Sequence, residues 1–112
     1  MLADLGSITM QQASPTANTM RKIKQLLDYS GTHPDAALTY WSSNMVLAAH
    51  SDTSYLSETK SRSRTGGHFF MASDIAVPEN NGAVHTVDQI IKTVMSSAAE
   101  AELGGLYINC RK

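Results

Sequence analysis

Two acidic segments carry the chemistry that this sequence offers. One ends on Asp52, in Met45-Val46-Leu47-Ala48-Ala49-His50-Ser51-Asp52; the other, much further along, is Glu100-Ala101-Glu102. Carboxylates brought together from distant segments suit Mg²⁺. This hard cation takes oxygen ligands and keeps several waters, so one or two carboxylates and substrate phosphate oxygens complete its shell. Two such ions held about 4 Å apart activate a water and stabilise the leaving oxygen of a phosphodiester. Each acid also has an ordinary occupation. An Asp closing a strand commonly opens a turn, and Glu100 completes a capping box with Ser97 in Ser97-Ala98-Ala99-Glu100.

The elements that would position these groups follow from periodicity. Met45–Leu56 is an apolar-to-small run after Ser42-Ser43-Asn44, which predicts a strand. Alternation sets Val46, Ala48, His50 and Asp52 on one face and Met45, Leu47, Ala49 and Ser51 on the other. The segment from Ser97 to the end predicts a helix with an apolar stripe of Ala99, Leu103, Leu106 and Cys110. Glu102 then lies about 60–70° from the centre of that stripe, on its edge, from where a carboxylate can look toward the strand end carrying Asp52. Cys110, on the stripe, reads as a small buried hydrophobe.

Upstream, residues 1–13 predict a short helix, broken at Ser14-Pro15. A second helix runs from a cap at Thr16 or Asn18 to about Ser30, with Gly31 as its stop. After the turn at Thr32-His33-Pro34-Asp35, Ala37–Trp41 reads as a short strand antiparallel to the Met45 strand. Arg64–Ala72 and Ala83–Ile91 are further strands, separated by Val77-Pro78-Glu79-Asn80-Asn81-Gly82, whose Asn81-Gly82 suits a tight hairpin. Gly66-Gly67 inside the second predicts a bulge or the close passage of another backbone. The expected fold is therefore α+β: an antiparallel sheet of three to four strands with a C-terminal helix packed on one face, preceded by one or two N-terminal helices. The expected division is a helical connection at 1–36 and the sheet domain at 37–112.

Composition narrows the function classes. The 112 residues are 42% hydrophobic and 17% charged, which predicts a folded domain, and the net charge of −1 disfavours an autonomous nucleic-acid binder. Cys110 is the sole cysteine, so neither an internal disulfide nor a thiolate zinc site is open to it, in keeping with an intracellular location. No apolar run reaches membrane-spanning length, and no export signal is evident.

Three ordered motifs carry a resemblance. They are His50-Ser51-Asp52-Thr53-Ser54-Tyr55, Arg62-Ser63-Arg64-Thr65-Gly66-Gly67-His68-Phe69-Phe70 and Ser96-Ser97-Ala98-Ala99-Glu100-Ala101-Glu102-Leu103. In that order they resemble the ribonuclease H region of a copia-type retrotransposon Pol polyprotein. Gln11-Gln12-Ala13-Ser14-Pro15-Thr16 and the helix after it resemble its connection to reverse transcriptase. The resemblance implies a partial ribonuclease H-like fold whose parent hydrolyses the RNA strand of RNA–DNA hybrids by two-metal catalysis with Mg²⁺ (or Mn²⁺). It implies Asp52 and Glu102 as catalytic and metal-ligating residues, and Glu100 as the cap. Lys60, Arg62 and Arg64 become candidates for contact with the hybrid's phosphates.

Such a protein works inside the cell, cytoplasmic or nuclear, beside the reverse transcriptase domain of the same polyprotein. The family adds a third and a fourth Asp after this helix, and the sequence stops at Lys112. The expectation is a truncated domain with little or no cleavage of its own; the alternative is a non-catalytic remnant acting as a structural or interaction module. Departing from the family, Ala99 stands where the motif often has Thr.

His50, His68 and His85 fall on neighbouring strands with undetermined facing, as a metal cluster or as ordinary sheet residues. The family sheet continues with a strand beside the one carrying Asp52. That edge is therefore expected either to be capped by Ala37–Trp41 or to lead to self-association.

Overall fold

A computed structural model describes residues 2–111, so Met1, at the start of the expected first helix, and Lys112, at the end of the expected last one, lie outside the described residues. The chain divides into two compact units, Met1–Ala37 and Leu38–Lys112.

The first unit holds two helices, α1 (Leu2–Met10) and α2 (Ala17–Thr32). Thr16 is the N-cap of α2: its hydroxyl accepts from the Thr19 amide at 3.2 Å, and the Thr16 amide donates back to the Thr19 hydroxyl at 3.1 Å. Thr19 is buried and donates on to Gln11 Oε1 at 2.6 Å, which joins the connecting turn to the helix. Gly31 does not stop α2. The helix continues through Thr32, and the His33 amide closes it onto the Tyr29 carbonyl. Pro34, which disfavours helical backbone at the residue before it, follows at once.

The second unit is an antiparallel sheet in the order β1-β2-β3, with β1 at Val46–Glu58, β2 at Arg62–Ala72 and β3 at Ala83–Ile90. One helix, α3 (Ala98–Asn109), packs against β1 and β2. The architecture is α+β with helices ahead of the sheet. Opposed residues run in unbroken register from Val46↔Ala72 to Ser54↔Arg64, then shift before Glu58↔Arg62. Gly66-Gly67 lies inside the regular register, not at a bulge. Buried apolar residues are few among those described: Phe70, Ala72, Val87, Ile91 and Ala101.

Ala37–Trp41 is not a strand; residues 37–41 have no regular structure. One side chain does the work of a neighbouring strand. The Asn81 amide accepts from the Trp41 N–H at 2.8 Å through Oδ1, and donates through Nδ2 to the carbonyls of Trp41 at 2.9 Å and Met71 at 2.8 Å. The Tyr40 hydroxyl donates to the Ala83 carbonyl at 3.0 Å, with its ring against Gly82. Asn81-Gly82 is thus an anchor for a passing segment and not the tip of a tight hairpin.

The buried face of α3 also differs from the apolar stripe. Ala101, Gly105 and Asn109, four apart, are buried, whereas Leu103, Leu106 and Cys110 are exposed. Small residues win because they let the helix lie close: a Cβ on Gly105 would run into Thr53 Oγ1 and stand 2.7 Å from Thr65 Oγ1. At Gly67 it would lie 2.7 Å from Asn109 Oδ1. Asn109 locks the contact, donating to Ser51 Oγ at 2.7 Å and to the Gly66 carbonyl at 2.9 Å.

Candidate functional site

The side of the sheet that α3 occupies decides what the two catalytic candidates can do together. Ser51, Thr53, Thr65 and Gly67 touch the helix, so residues one position along each strand point the other way. Asp52 is one of them. It stands opposite Gly66, which stands opposite Asp88, so Asp52 and Asp88 flank a glycine on the helix-free face. Asp52 is exposed, and its Oδ1 accepts from the Thr53 amide at 2.9 Å.

Glu102 follows the buried Ala101 and is exposed on α3, on the other side of the sheet. The expected convergence of Asp52 and Glu102 is not what the structure brings about, since alternation along β1 turns Asp52 away from the helix. The described residues contain no group of three His, Cys, Asp or Glu able to hold a metal ion. These carboxylates do not fit a shared Mg²⁺ or Mn²⁺ site.

Glu100 is a cap, with a shifted partner. Ser97 Oγ accepts from the Glu100 amide at 3.1 Å, but the carboxylate takes the amide and hydroxyl of Ser96, both at 2.6 Å, instead of the Ser97 amide. The hydrogen bond from the Ser96 hydroxyl, seconded by that from its amide, holds the Glu100 carboxyl below its ordinary pKa.

The basic run separates by position. Lys60 lies at the turn between β1 and β2, where it and Ser61 both take positive φ, 61° and 52°. Arg62 Nε donates to the Thr59 carbonyl at 3.2 Å. Arg64 is buried on the same face as Asp52 and grips two carboxylates, Glu58 at 2.6 Å and Asp88 at 2.7 Å. Burial by itself pulls its pKa down; the hydrogen bonds to Asp88 and Glu58 and their charges outweigh that and hold it above the ordinary value. Two carboxylates thus offset the charge of this buried guanidinium, which is engaged within the sheet and not held out as an open cation. Its role as a structural ion pair leaves no trace in the spacing Lys60-Arg62-Arg64; only the register, which sets Arg64 diagonal to Asp88, reveals it.

Neither known protein families, nor curated proteins, nor solved structures contain a match to this chain. No helix among the described residues is long and apolar enough to cross a membrane.

The histidines do not form one cluster. His50 and His68 are directly opposed on the helix-free face, and both rings lie on Phe70, at 5.2 and 5.3 Å between centroids. His68 Nε2 lies 3.1 Å from the Asn81 carbonyl. His85 is on the helix side, opposed to Phe69.

Proposed function

We propose that this chain carries part of a ribonuclease H-like domain of a copia-type retrotransposon polyprotein, and acts itself as a non-catalytic structural or interaction module. In the parent protein, such a domain hydrolyses the RNA strand of RNA–DNA hybrids beside reverse transcriptase, inside the cell, with Mg²⁺ or Mn²⁺ as the metal. The support for the ancestry is the order of the motifs. The His50–Tyr55, Arg62–Phe70 and Ser96–Leu103 segments correspond to an edge strand, its hairpin partner and the start of a helix crossing both. The observation that carries the non-catalytic reading is the position of Asp52 and Glu102 on opposite faces of the sheet. With the carboxylates apart, the two-metal geometry has no basis in these residues.

An RNA–DNA hybrid incubated with the purified chain and Mg²⁺ or Mn²⁺ should remain uncut. Robust cleavage lost in Asp52→Asn would overturn the non-catalytic reading. The ancestry is tested separately in the DNA flanking the coding segment. It should hold reverse transcriptase sequence upstream and an Asp-bearing strand segment downstream, and unrelated flanks would sink it.

A further inference from the structure

We propose that β1 is the dimerisation edge of this protein: two copies pair their β1 strands antiparallel about a twofold axis at Ser51, giving one continuous six-stranded sheet. The proposal does not depend on the nuclease ancestry.

β1 is an edge strand of 13 residues with no strand partner on its outer side among the described residues. Edges of that length are ordinarily blunted by lysine, proline or a covering segment. Val46–Glu58 contains neither lysine nor proline. The segment best suited to cover it is held elsewhere, with Tyr40 bonded to Ala83 of β3 and Trp41 bonded to Asn81. A net charge of −1 offers little long-range repulsion between copies.

The sequence of β1 selects the partner and the register. Backbone groups on the outer edge alternate, so a self-pairing slips only in steps that match outward-pointing residues with one another. Centred on Ser51, His50 faces Asp52 of the second copy twice over, Ala49 faces Thr53, Ala48 faces Ser54, and exposed Leu47 faces exposed Tyr55. Centred on His50, the histidines would meet each other and Asp52 would face Ala48. Centred on Asp52, the two carboxylates would meet. Of the possible centres along the regular stretch that ends near Ser54, Ser51 alone sets each His50 against an Asp52.

The helix agrees with this. Gly104 packs toward Ile91 and Met95, on the side away from the edge. By helical rotation Leu106, half exposed, is on the opposite flank above β1. A twofold perpendicular to the sheet sets both helices on one face, with that flank of each turned toward the other.

Light scattering coupled to size-exclusion chromatography over a dilution series should show a reversible dimer. His50→Asp, which opposes two carboxylates twice, should weaken it about tenfold, and the double variant His50→Asp/Asp52→His should restore it. Circular dichroism checks that each variant keeps the sheet. In a Cys110→Ser background, Ser51→Cys should cross-link to itself under mild oxidation, whereas Ala48→Cys, several residues from its own copy in this register, should not. A monomer at all concentrations, a swap no better than the single variant, equal cross-linking at both positions, or open-ended larger assemblies would each overturn the proposal.

Discussion

Gly105 and Gly66 are the same residue with opposite tolerances. An alanine in a helix interior ordinarily gains about 1 kcal/mol over glycine, but a methyl at Gly105 meets Thr53 and Thr65. Overpacking wins, and Gly105→Ala should lower stability by about 1–3 kcal/mol in urea titration. At Gly66 the nearest atoms to an added Cβ are carbonyl oxygens at 4.0 Å. Gly66→Ala should therefore leave stability unchanged or raise it, by less than about 1 kcal/mol. Glu100 gives a pH signature. Its pKa is lowered in the folded state, so its contribution is present above the ordinary carboxylate range and is lost as pH falls through the lowered native value. The difference in urea midpoint between the parent chain and Glu100→Gln should shrink on acidification. A difference that grows toward low pH would contradict the assignment.

At the scale of elements, the clearest test concerns the segment beside β2. With Asn81→Ala the Trp41 amide loses its acceptor, and its hydrogen exchange should rise sharply while the β1–β2 ladder stays protected. Loss of protection throughout the sheet would mean that Asn81 supports more than a passing loop. The three long strands and α3 were legible because alternation, the polar stretch at Ser57–Ser63 and the Ser97 cap are local signals. The fate of Ala37–Trp41 was not, because a side-chain amide forty residues away supplies the hydrogen bonds that a strand partner would. The buried face of α3 was concealed for a different reason. Periodicity counts large apolar residues, whereas the helix sits on Ala101, Gly105 and Asn109 so that it can approach Thr53 and Thr65 closely. The face of β1 that would take the helix was equally hidden, since Ala48, Ala49 and Ser51 make both faces small. That single ambiguity is what hid the separation of Asp52 from Glu102, which alternation along β1 imposes.

At the scale of the whole molecule, the short roster of buried apolar side chains has a thermal consequence. Among the described residues the buried hydrophobics are Phe70, Ile91, Val87 and two alanines, and the other buried positions include Thr53, Ser63, Arg64, Thr65 and Asn109. Unfolding therefore exposes little hydrocarbon and a good deal of polar surface, two changes that act on the heat capacity with opposite sign. Calorimetry should give an unfolding heat-capacity increment well below the about 1.4 kcal/mol/K ordinary for a chain of this length. The stability curve of such a protein is flat, and it loses little on cooling.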